Sequence, residues 1–277
     1  MTRDPLRYLK GHGTGNDFVL LADPEDRLEL TGALVRALCD RRTGLGADGV
    51  LRIAPASGGP ARWFMDHRNA DGSAPEMCGN GLRLFALFLL RSGLSMDHEQ
   101  LIATRGGVRR AVVCPDGTVR VEMGAAALGE PSVALLGGVE YPGTAVSVGN
   151  PHLVCRVERP IDALDLTPAP VLDPAVFPDG ANVEFVNADP APAPGADAHV
   201  RLRVHERGVG ETLACGTGAC AVAAAVLAGT PGVVAVDQPG GRVVVTVGAS
   251  GTELAGPAVF VASGELDPDW LAAVGRR

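Results

Sequence analysis

Two cysteines in this chain stand where they could perform acid–base chemistry. Cys78 precedes the turn 79–81 (Gly-Asn-Gly), Cys215 precedes the turn 216–218 (Gly-Thr-Gly), and an apolar stretch of helical length follows each turn. The pattern predicts a thiol at the N-terminus of each helix, where the positive end of the helix dipole stabilises a thiolate and is expected to lower its pKa. Two such cysteines indicate a site that uses a pair of thiols.

A pair of equivalent thiols suits the inversion of a carbon centre. One thiolate removes a proton from the carbon, and the other thiol delivers a proton to the opposite face. A lone nucleophilic cysteine would instead need a histidine base and an oxyanion hole. No lysine stands near either cysteine turn, so the sequence points to a reaction without pyridoxal phosphate or another cofactor.

Polar landmarks recur before both cysteines in the same order. Asn16 and Asn150 each follow a glycine and come shortly before an apolar run. Asn69 and Glu206 each lie nine residues before a cysteine, in loops that contain glycine. The matched register predicts two homologous half-domains with the site between them, since pockets favour domain interfaces. Coincidence in a chain with 37 glycines is the weaker alternative.

Composition narrows the classes of function. A chain of 277 residues suits two domains of ordinary size. The net charge of −8 and the lack of a basic run argue against a nucleic-acid partner. The N-terminus leads into no apolar leader, and the longest apolar stretch, residues 214–229, is short and broken by glycines. These features predict a soluble, cytoplasmic protein that does not bind a membrane.

The remaining cysteines are interpreted as packing residues with free thiols, as is usual in a cytosolic chain: Cys39, Cys114, Cys155 and Cys220. The sequence contains no Cys-x-x-Cys pair and no Cys/His cluster with the spacing of zinc ligands. We therefore expect no metal site.

Val-rich segments bounded by Gly, Pro or Asp predict strands, at residues 6–10, 18–22, 49–54, 62–65, 108–113, 118–122, 145–148, 153–157, 183–186, 199–204, 232–236, 242–247 and 258–262. Helical patterns cover residues 31–39, 82–90, 219–228 and 267–274. The two helices after the cysteines have almost no polar face and must be enclosed.

The predicted fold class is therefore α+β, with two homologous half-domains. Each half is expected to be a curved, mostly antiparallel sheet around a central helix. The N-terminal half-domain is predicted at residues 1–124, joined by 263–277, and the C-terminal half-domain at 125–262.

Five stretches together resemble the diaminopimelate epimerases: residues 12–18, 68–73, 77–81, 149–152 and 205–218. They occur in the order found in that family and cover nearly the whole chain. The resemblance implies a diaminopimelate-epimerase-like fold of two domains and a cofactor-independent isomerase. It implies interconversion of LL- and meso-diaminopimelate, on the route to lysine and peptidoglycan.

The resemblance also implies roles for individual residues. In the LL to meso direction, Cys215 would be the proton acceptor and Cys78 the donor, with the roles exchanged in reverse. The backbone at the two helix N-termini would hold the substrate's α-carboxylate, through Gly79, Asn80, Gly216 and Thr217. Six side chains would contact the substrate: Asn16, Asn69, Asn150, Asn182, Glu206 and Arg207.

Two residues, His152 and Glu206, resemble those that adjust the pKa values of the thiols. The loop 41–49 is expected to be structural, with Arg41, Arg42 and Asp48 in that role. Within it, Gly49 replaces a Gln that contacts the distal end of the substrate in some family members.

Two alternative functions stay open at this point. One is a racemase of the same fold that acts on another amino acid, such as histidine. The other is a non-catalytic, redox-responsive binding protein in which Cys78 and Cys215 form a reversible disulfide. The expected partner is a small amino-acid substrate, and a homodimer is the expected assembly, although the sequence does not fix the oligomeric state.

Overall fold

The computed structural model describes residues 6–189, 191 and 193–274. The first strands are β1 Arg7–Gly13, β2 Asn16–Ala22, β3 Gly49–Pro55, β4 Trp63–Asn69, β5 Glu99–Thr104, β6 Gly107–Val113 and β7 Thr118–Gly124. The next are β8 Ala127–Leu136, β9 Val139–Ser147, β10 Pro151–Arg156, β11 Val171–Leu172, β12 Asn182–Ala188 and β13 Ala198–Glu206. The last are β14 Gly210–Thr212, β15 Gly232–Gln238, β16 Gly241–Gly248, β17 Gly251–Pro257 and β18 Val259–Glu265. The helices are α1 Gly32–Cys39, α2 Gly79–Arg91, α3 Gly216–Val226 and α4 Pro268–Val274.

The chain divides into two compact units. Among the described residues, the first unit runs to Val121 and resumes at Pro257, and the second is Glu122–Gly256. The sequence prediction gave residues 258–262 to the second half, whereas β18 pairs with β1 along its length. The chain ends of the predicted first half, residues 1–5 and 275–277, lie outside the described residues.

In the first unit, eight strands follow one another in the order β18, β1, β2, β3, β4, β5, β6, β7. The pairs β2–β3 and β4–β5 are parallel, and the other pairs are antiparallel. The central helix α2 packs against β1, β2, β3, β4 and β6. Its residues 79–89 are all buried, as the lack of a polar face predicts.

In the second unit, eight strands follow one another in the order β8, β9, β10, β12, β13, β15, β16, β17. Here β10–β12 and β13–β15 are parallel and the other pairs are antiparallel. The helix α3 packs against the strands β8, β9, β10, β12, β13, β15 and β16. The sequence of parallel and antiparallel pairs is the same as in the first unit. The predicted fold, two homologous halves with a mostly antiparallel sheet around a helix, is confirmed.

Successive side chains of a strand point to opposite sides of its sheet, and apolar side chains occur on both sides. In the first unit, Val19 and Leu21 of β2 pack with Leu34, Val35 and Leu38 of α1. The neighbouring side chains of β2 point the other way, since successive residues of a strand face opposite sides. They supply the surface beneath α2.

Five strands lie outside the sequence prediction: β5, β8, β17 and the short strands β11 and β14. Glu99 and Gln100 open β5, Gly129 and Pro131 interrupt β8, and β17 is built from small residues. These residue types are depleted in strands. Hydrogen bonds from neighbouring strands hold these segments in place, and such contacts have no local pattern in the sequence.

No helix among the described residues is long and apolar enough to cross a membrane.

Candidate active site

Each predicted cysteine turn is the start of a helix. Cys78 is the N-cap of α2, and its Sγ accepts a hydrogen bond from Gly81 N at 3.4 Å. Cys215 is the N-cap of α3, and its Sγ accepts from Gly218 N at 3.3 Å. The predicted position of both thiols at a helix N-terminus is confirmed. In α3, the first-turn N–H groups of residues 216 and 217 have no acceptor within the helix and suit an anion.

In the first unit, Asn16 reaches the thiol. The Cys78 S–H donates to Asn16 Oδ1 at 3.7 Å, and Asn80 Nδ2 donates to the same oxygen at 3.3 Å. Asn16 Nδ2 in turn donates to Asp48 Oδ2 at 2.9 Å. Because a carboxylate accepts and does not donate, Asp48 fixes the amide with its oxygen toward Cys78. The residue expected to be merely structural thus orients a predicted site residue.

Asp48 belongs to a charged group with Asp17 and Arg41. Arg41 Nη2 lies 2.9 Å from Asp17 Oδ1 and 2.8 Å from Asp48 Oδ1, and Lys10 Nζ lies 2.6 Å from Asp17 Oδ2. Burial acts to raise the pKa of Asp17, but hydrogen bonds and charges of Arg41 and Lys10 outweigh it and lower that pKa to about 2. Asp17 is therefore ionised at neutral pH.

A buried arginine orients Asn80. Arg83 is fully buried in α2, and its Nη2 donates to Asn80 Oδ1 at 3.0 Å and to Thr14 Oγ1 at 3.1 Å.

Asn69, a further predicted site residue of this unit, lies at the end of β4 and donates from Nδ2 to Ser73 Oγ at 2.9 Å. Asn69 is half-buried, so its amide is held at the surface of the unit.

In the second unit, Gln238 holds the backbone of the cysteine turn. Cys215 N donates to Gln238 Oε1 at 2.8 Å, and the Cys215 Sγ lies 3.5 Å from Thr217 Oγ1. Gln238 is a buried residue at the end of β15. Nothing in the sequence around residue 238 marks Gln238 as a partner of a cysteine 23 residues earlier, so the sequence does not predict this contact.

The pKa of Cys215 differs from the expectation that the helix N-terminus lowers it. Burial raises the pKa of Cys215 well above its usual range, and the charges of Glu206 and Glu184 raise it further. The hydrogen bonds from Thr217 and Gly218 act in the opposite direction but are outweighed. For Cys215 the predicted lowering is wrong, because desolvation of a buried thiolate exceeds the stabilisation from the helix terminus. The Cys215 thiolate is scarce but strongly basic.

His152 lies at the centre of a polar group beneath α3. Its Nδ1 lies 2.7 Å from Glu184 Oε1, and its Nε2 lies 3.0 Å from Asn150 Oδ1. Both His152 and Glu184 are fully buried. The structure thus brings together the predicted His152 and Asn150, and it adds Glu184, which the sequence prediction missed although it stands beside the predicted Asn182.

Three further predicted residues lie at the ends of β12 and β13. Asn182 Oδ1 accepts a hydrogen bond from Arg207 N at 2.9 Å. The exposed Arg207 donates from Nη1 to Asp179 O at 3.1 Å. Glu206 Oε1 accepts a hydrogen bond from Thr212 Oγ1. Since the charge of Glu206 contributes to the raised pKa of Cys215, Glu206 and the thiol lie close enough to interact.

Strand register shows which residues of the two units are equivalent. Phe18, two residues after Asn16, is the parallel partner of Gly49, and His152, two residues after Asn150, is the parallel partner of Asn182. Asn16 therefore corresponds to Asn150, as the sequence predicts. Gly49 corresponds to Asn182.

The antiparallel partners extend the correspondence to the next strand. Gly49 pairs with Asn69. In the second unit Val183 pairs with His205, which places residue 182 opposite Glu206. Asn69 and Glu206 are therefore equivalent, and one unit has a neutral amide where the other has a carboxylate.

The structure explains why no side chain stands at Gly49. A Cβ on this residue would lie 2.5 Å from Arg68 O and 3.3 Å from both His67 Nε2 and Phe18 Cδ1. A backbone oxygen cannot move aside as the end of a side chain can. A larger residue therefore has no room at this position of β3 in this chain.

A group of possible metal ligands lies elsewhere in the second unit. One ligand atom each from Asp189, His199 and Asp237 falls within 4.8 Å of the others. Arg242 donates to Asp237 from Nε at 2.6 Å and from Nη2 at 2.8 Å. The Arg242 hydrogen bonds lower the pKa of Asp237 to about 2, and His199 adds to this effect. A guanidinium thus already supplies the positive charge in this group.

Comparison with known proteins identifies the family of this chain. The family model for diaminopimelate epimerase matches residues 8–129 and 144–261. A protein from Streptomyces coelicolor named diaminopimelate epimerase is 47% identical over 289 residues, which cover 97% of this chain and 98% of that protein. A protein of the same name from Mycobacterium tuberculosis is 48% identical over 294 residues, covering 97% of this chain and 99% of its own. The chain belongs to the diaminopimelate epimerase family.

Solved structures with lower identity share the fold of this diaminopimelate epimerase family member. A PhzF-family phenazine biosynthesis protein from Bacillus anthracis has a TM-score of 0.71 and 17% identity, covering 96% of this chain and all of its own. A hydroxyproline epimerase from Agrobacterium vitis has a TM-score of 0.69 and 17% identity, with 96% and 94% of the two chains covered. These two likenesses concern the fold alone.

Proposed function

We propose that this protein interconverts LL- and meso-diaminopimelate by proton transfer between Cα and two cysteines, without a cofactor. The observation that carries the proposal is that both cysteines cap helices at equivalent places in two units of one topology, in a chain of this family. The reaction belongs to amino-acid and peptidoglycan-precursor synthesis, for which we expect a cytoplasmic location.

In the LL to meso direction, the Cys215 thiolate takes the Cα proton and becomes a thiol. Cys78 gives its S–H proton to the opposite face of the carbanion and becomes the thiolate. The raised pKa of Cys215 favours this role, because a more basic thiolate removes a proton from carbon more readily. Asn16 accepts the Cys78 S–H, which favours the protonated form that a donor needs. The reverse reaction exchanges the two roles.

The substrate's polar groups have matching partners in this proposal. The first turns of α2 and α3, at residues 79–80 and 216–217, bind the α-carboxylate through backbone N–H groups and helix dipoles. That interaction also stabilises negative charge as it develops on the carboxylate in the transition state. Asn16, Asn69, Asn150 and Asn182 bind further polar groups, and Glu206 and Arg207 bind an ammonium and the distal carboxylate.

The substrate is tested by uptake of deuterium from solvent at Cα, measured for LL-diaminopimelate and for a panel of L-amino acids that includes histidine. We expect uptake with LL-diaminopimelate and formation of the meso isomer. Uptake confined to histidine or another amino acid would identify a racemase of different specificity.

The redox-responsive binding protein is distinguished by Cys78→Ser and Cys215→Ser under full reduction. An epimerase loses turnover in both variants, whereas a redox switch still binds its ligand and shows no turnover even as wild type. The homodimer is a separate proposal, and sedimentation velocity of the purified protein tests it.

A further inference from the structure

The surfaces beneath the two cysteine turns have opposite character. In the first unit, a Cβ on Gly81 would lie 3.2 Å from Leu51 Cδ2 and 3.6 Å from Phe18 Cζ. In the second unit, a Cβ on Gly218 would lie 2.7 Å from Glu184 Oε1. Hydrocarbon therefore supports the first turn, and a carboxylate supports the second.

Strand register makes these two surfaces equivalent. Leu51 and Glu184 hold corresponding positions, because the residue two places before each is the parallel-strand partner of Phe18 in one unit and of His152 in the other. The His152–Glu184 pair thus occupies the place of an apolar Phe18–Leu51 pair. Apolar replacement of a buried ion pair is often neutral or stabilising. The polar pair is therefore not needed for packing, which points to a function.

The hydrogen-bond geometry of the His152–Glu184 pair indicates where the ring protons lie. His152 Nδ1 faces Glu184 Oε1 at 2.7 Å, and Nε2 faces Asn150 Oδ1 at 3.0 Å. Both ring nitrogens face oxygen atoms, and an imidazolium, which carries a proton on each nitrogen, donates to both of them. The second carboxylate oxygen, Glu184 Oε2, is buried and has no hydrogen-bond partner among the described residues.

The charges around Glu184 favour a positively charged partner for its carboxylate. Its charge reaches two thiols, those of Cys155 and Cys215. Burial raises the pKa of Cys155 to about 12 and that of Cys215 well above its usual range, so both are neutral. Glu206 adds negative charge on the Cys215 side. His152 is thus the group that can balance the buried carboxylate.

The protonation of His152 determines how Asn150 is oriented. A protonated Nε2 requires the amide oxygen, which leaves Asn150 Nδ2 as a donor; this atom has no hydrogen-bond partner within the described part of the chain. A neutral ring with its proton on Nδ1 would offer a lone pair at Nε2, and the amide would turn round to donate to it. Asn150, which is half-buried, would then present an acceptor instead.

We propose that Glu184 is a positioning residue for the epimerase reaction: it holds His152 as an imidazolium and thereby fixes Asn150 with its N–H groups toward a carboxylate of the substrate. The inference rests on the substrate contact proposed for Asn150. Asn69 and Glu206 already differ in charge at equivalent positions of the two units. The inference extends this asymmetry to the residues beneath the cysteine turns.

The test is Glu184→Gln, which keeps the size of the side chain and an oxygen for Nδ1–H but removes the charge. Nitrogen NMR of ¹⁵N-histidine-labelled protein, without substrate and at neutral pH, should show two protonated ring nitrogens for His152 in the wild type and one in E184Q. The KM for LL-diaminopimelate should rise about tenfold, the effect of losing one charge-assisted hydrogen bond. The kcat should also change, because removal of the Glu184 charge lowers the pKa of Cys215, so the rise in KM is the kinetic readout that reports the orientation of Asn150.

The matched control is Glu158→Gln, an exposed glutamate of the same unit, which should keep the wild-type KM and histidine spectrum. A neutral His152 in the wild type would overturn the inference, as would E184Q with an unchanged KM or with a loss confined to kcat. Failure of the proposed function itself would appear separately, as wild-type protein that does not epimerise LL-diaminopimelate.

A second variant covers the case in which E184Q does not fold. His152→Phe combined with Glu184→Leu copies the apolar pair of the first unit, so we expect it to fold and to raise the KM at least as much as E184Q does. A folded double variant with the wild-type KM would also overturn the inference.

Discussion

Asp48 lies outside the predicted site, yet it determines which atom of the predicted site residue Asn16 faces Cys78. Asn16 could face Cys78 with its oxygen or with its amide nitrogen. The hydrogen bond from Asn16 Nδ2 to Asp48 Oδ2 selects the oxygen, and the oxygen accepts the thiol proton. The sequence indicated Asn16 and Cys78 through a matched pattern. It could not indicate the orientation, because Asp48 lies 32 residues from Asn16 and meets it through the pairing of β2 with β3.

We expect Asp48→Asn to lower kcat/KM about tenfold, because the neutral amide can donate to Asn16 and allow its side chain to turn. Steady-state epimerisation measures the effect. Asp116→Asn removes the same charge from an exposed turn and should leave kcat/KM unchanged. Wild-type kcat/KM in D48N would show that Asp48 does not orient the site.

At the scale of elements, α2 and α3 were the most predictable parts of the molecule. A Gly-x-Gly turn followed by an apolar stretch is a local signal, and so is the lack of a polar face that requires enclosure. What lies beneath each helix was not predictable. It depends on which strands pair, and the equivalence of Leu51 and Glu184 becomes visible only in the register of β3 and β12.

The glycines at the third position of the two helices provide a matched comparison. Gly218→Ala places a methyl 2.7 Å from the buried Glu184 Oε1, whereas Gly81→Ala meets the flexible end of Leu51 at 3.2 Å. We expect G218A to lower the free energy of unfolding by about 1–3 kcal/mol, the usual effect of overpacking. G81A should change it by less than about 1 kcal/mol, since Ala also favours a helix over Gly.

Denaturant unfolding of both variants gives the comparison directly. Equal losses of stability in G218A and G81A would mean that the carboxylate beneath α3 can move aside. The surface that supports Cys215 would then be less rigid than its hydrogen bonds suggest.

At the scale of the whole molecule, the composition and the repeated landmarks predicted two homologous halves, and the two units repeat one order of parallel and antiparallel pairs. The use of β18 was not predictable. Its residues follow the second unit in sequence but pair with β1, and such pairing between distant segments has no local signal.

The stability of the protein should depend on pH through a buried histidine of the first unit. Burial lowers the pKa of His67 to about 4, and the charge of Arg105 adds to this effect. In the unfolded chain the His67 ring takes up a proton near pH 6.5, whereas in the folded protein it does so only near pH 4. The stabilisation from the neutral ring is therefore complete above pH 6.5 and is lost as pH falls toward 4. The expected loss is about 3 kcal/mol.

His67→Phe isolates that contribution. The ring lies edge-on to Phe18 with centroids 5.5 Å apart, and its Nδ1 has no hydrogen-bond partner among the described residues, so an apolar ring can replace it. The free energy of unfolding should decrease from pH 7 to pH 4.5 in both proteins, and the decrease should be larger in the wild type than in H67F. An equal fall in both would assign the pH dependence to other groups.

The central claim is that Cys78 and Cys215 transfer protons on opposite faces of one carbon, and initial-rate epimerisation in D₂O tests it most directly. We predict that meso-diaminopimelate formed early from LL-diaminopimelate carries deuterium at the inverted carbon, because the donor thiol has exchanged with solvent. The recovered LL isomer should still carry protium, and neither C78S nor C215S should turn over under full reduction. Product that retains the substrate's own proton, or sustained turnover by either serine variant, would contradict the account.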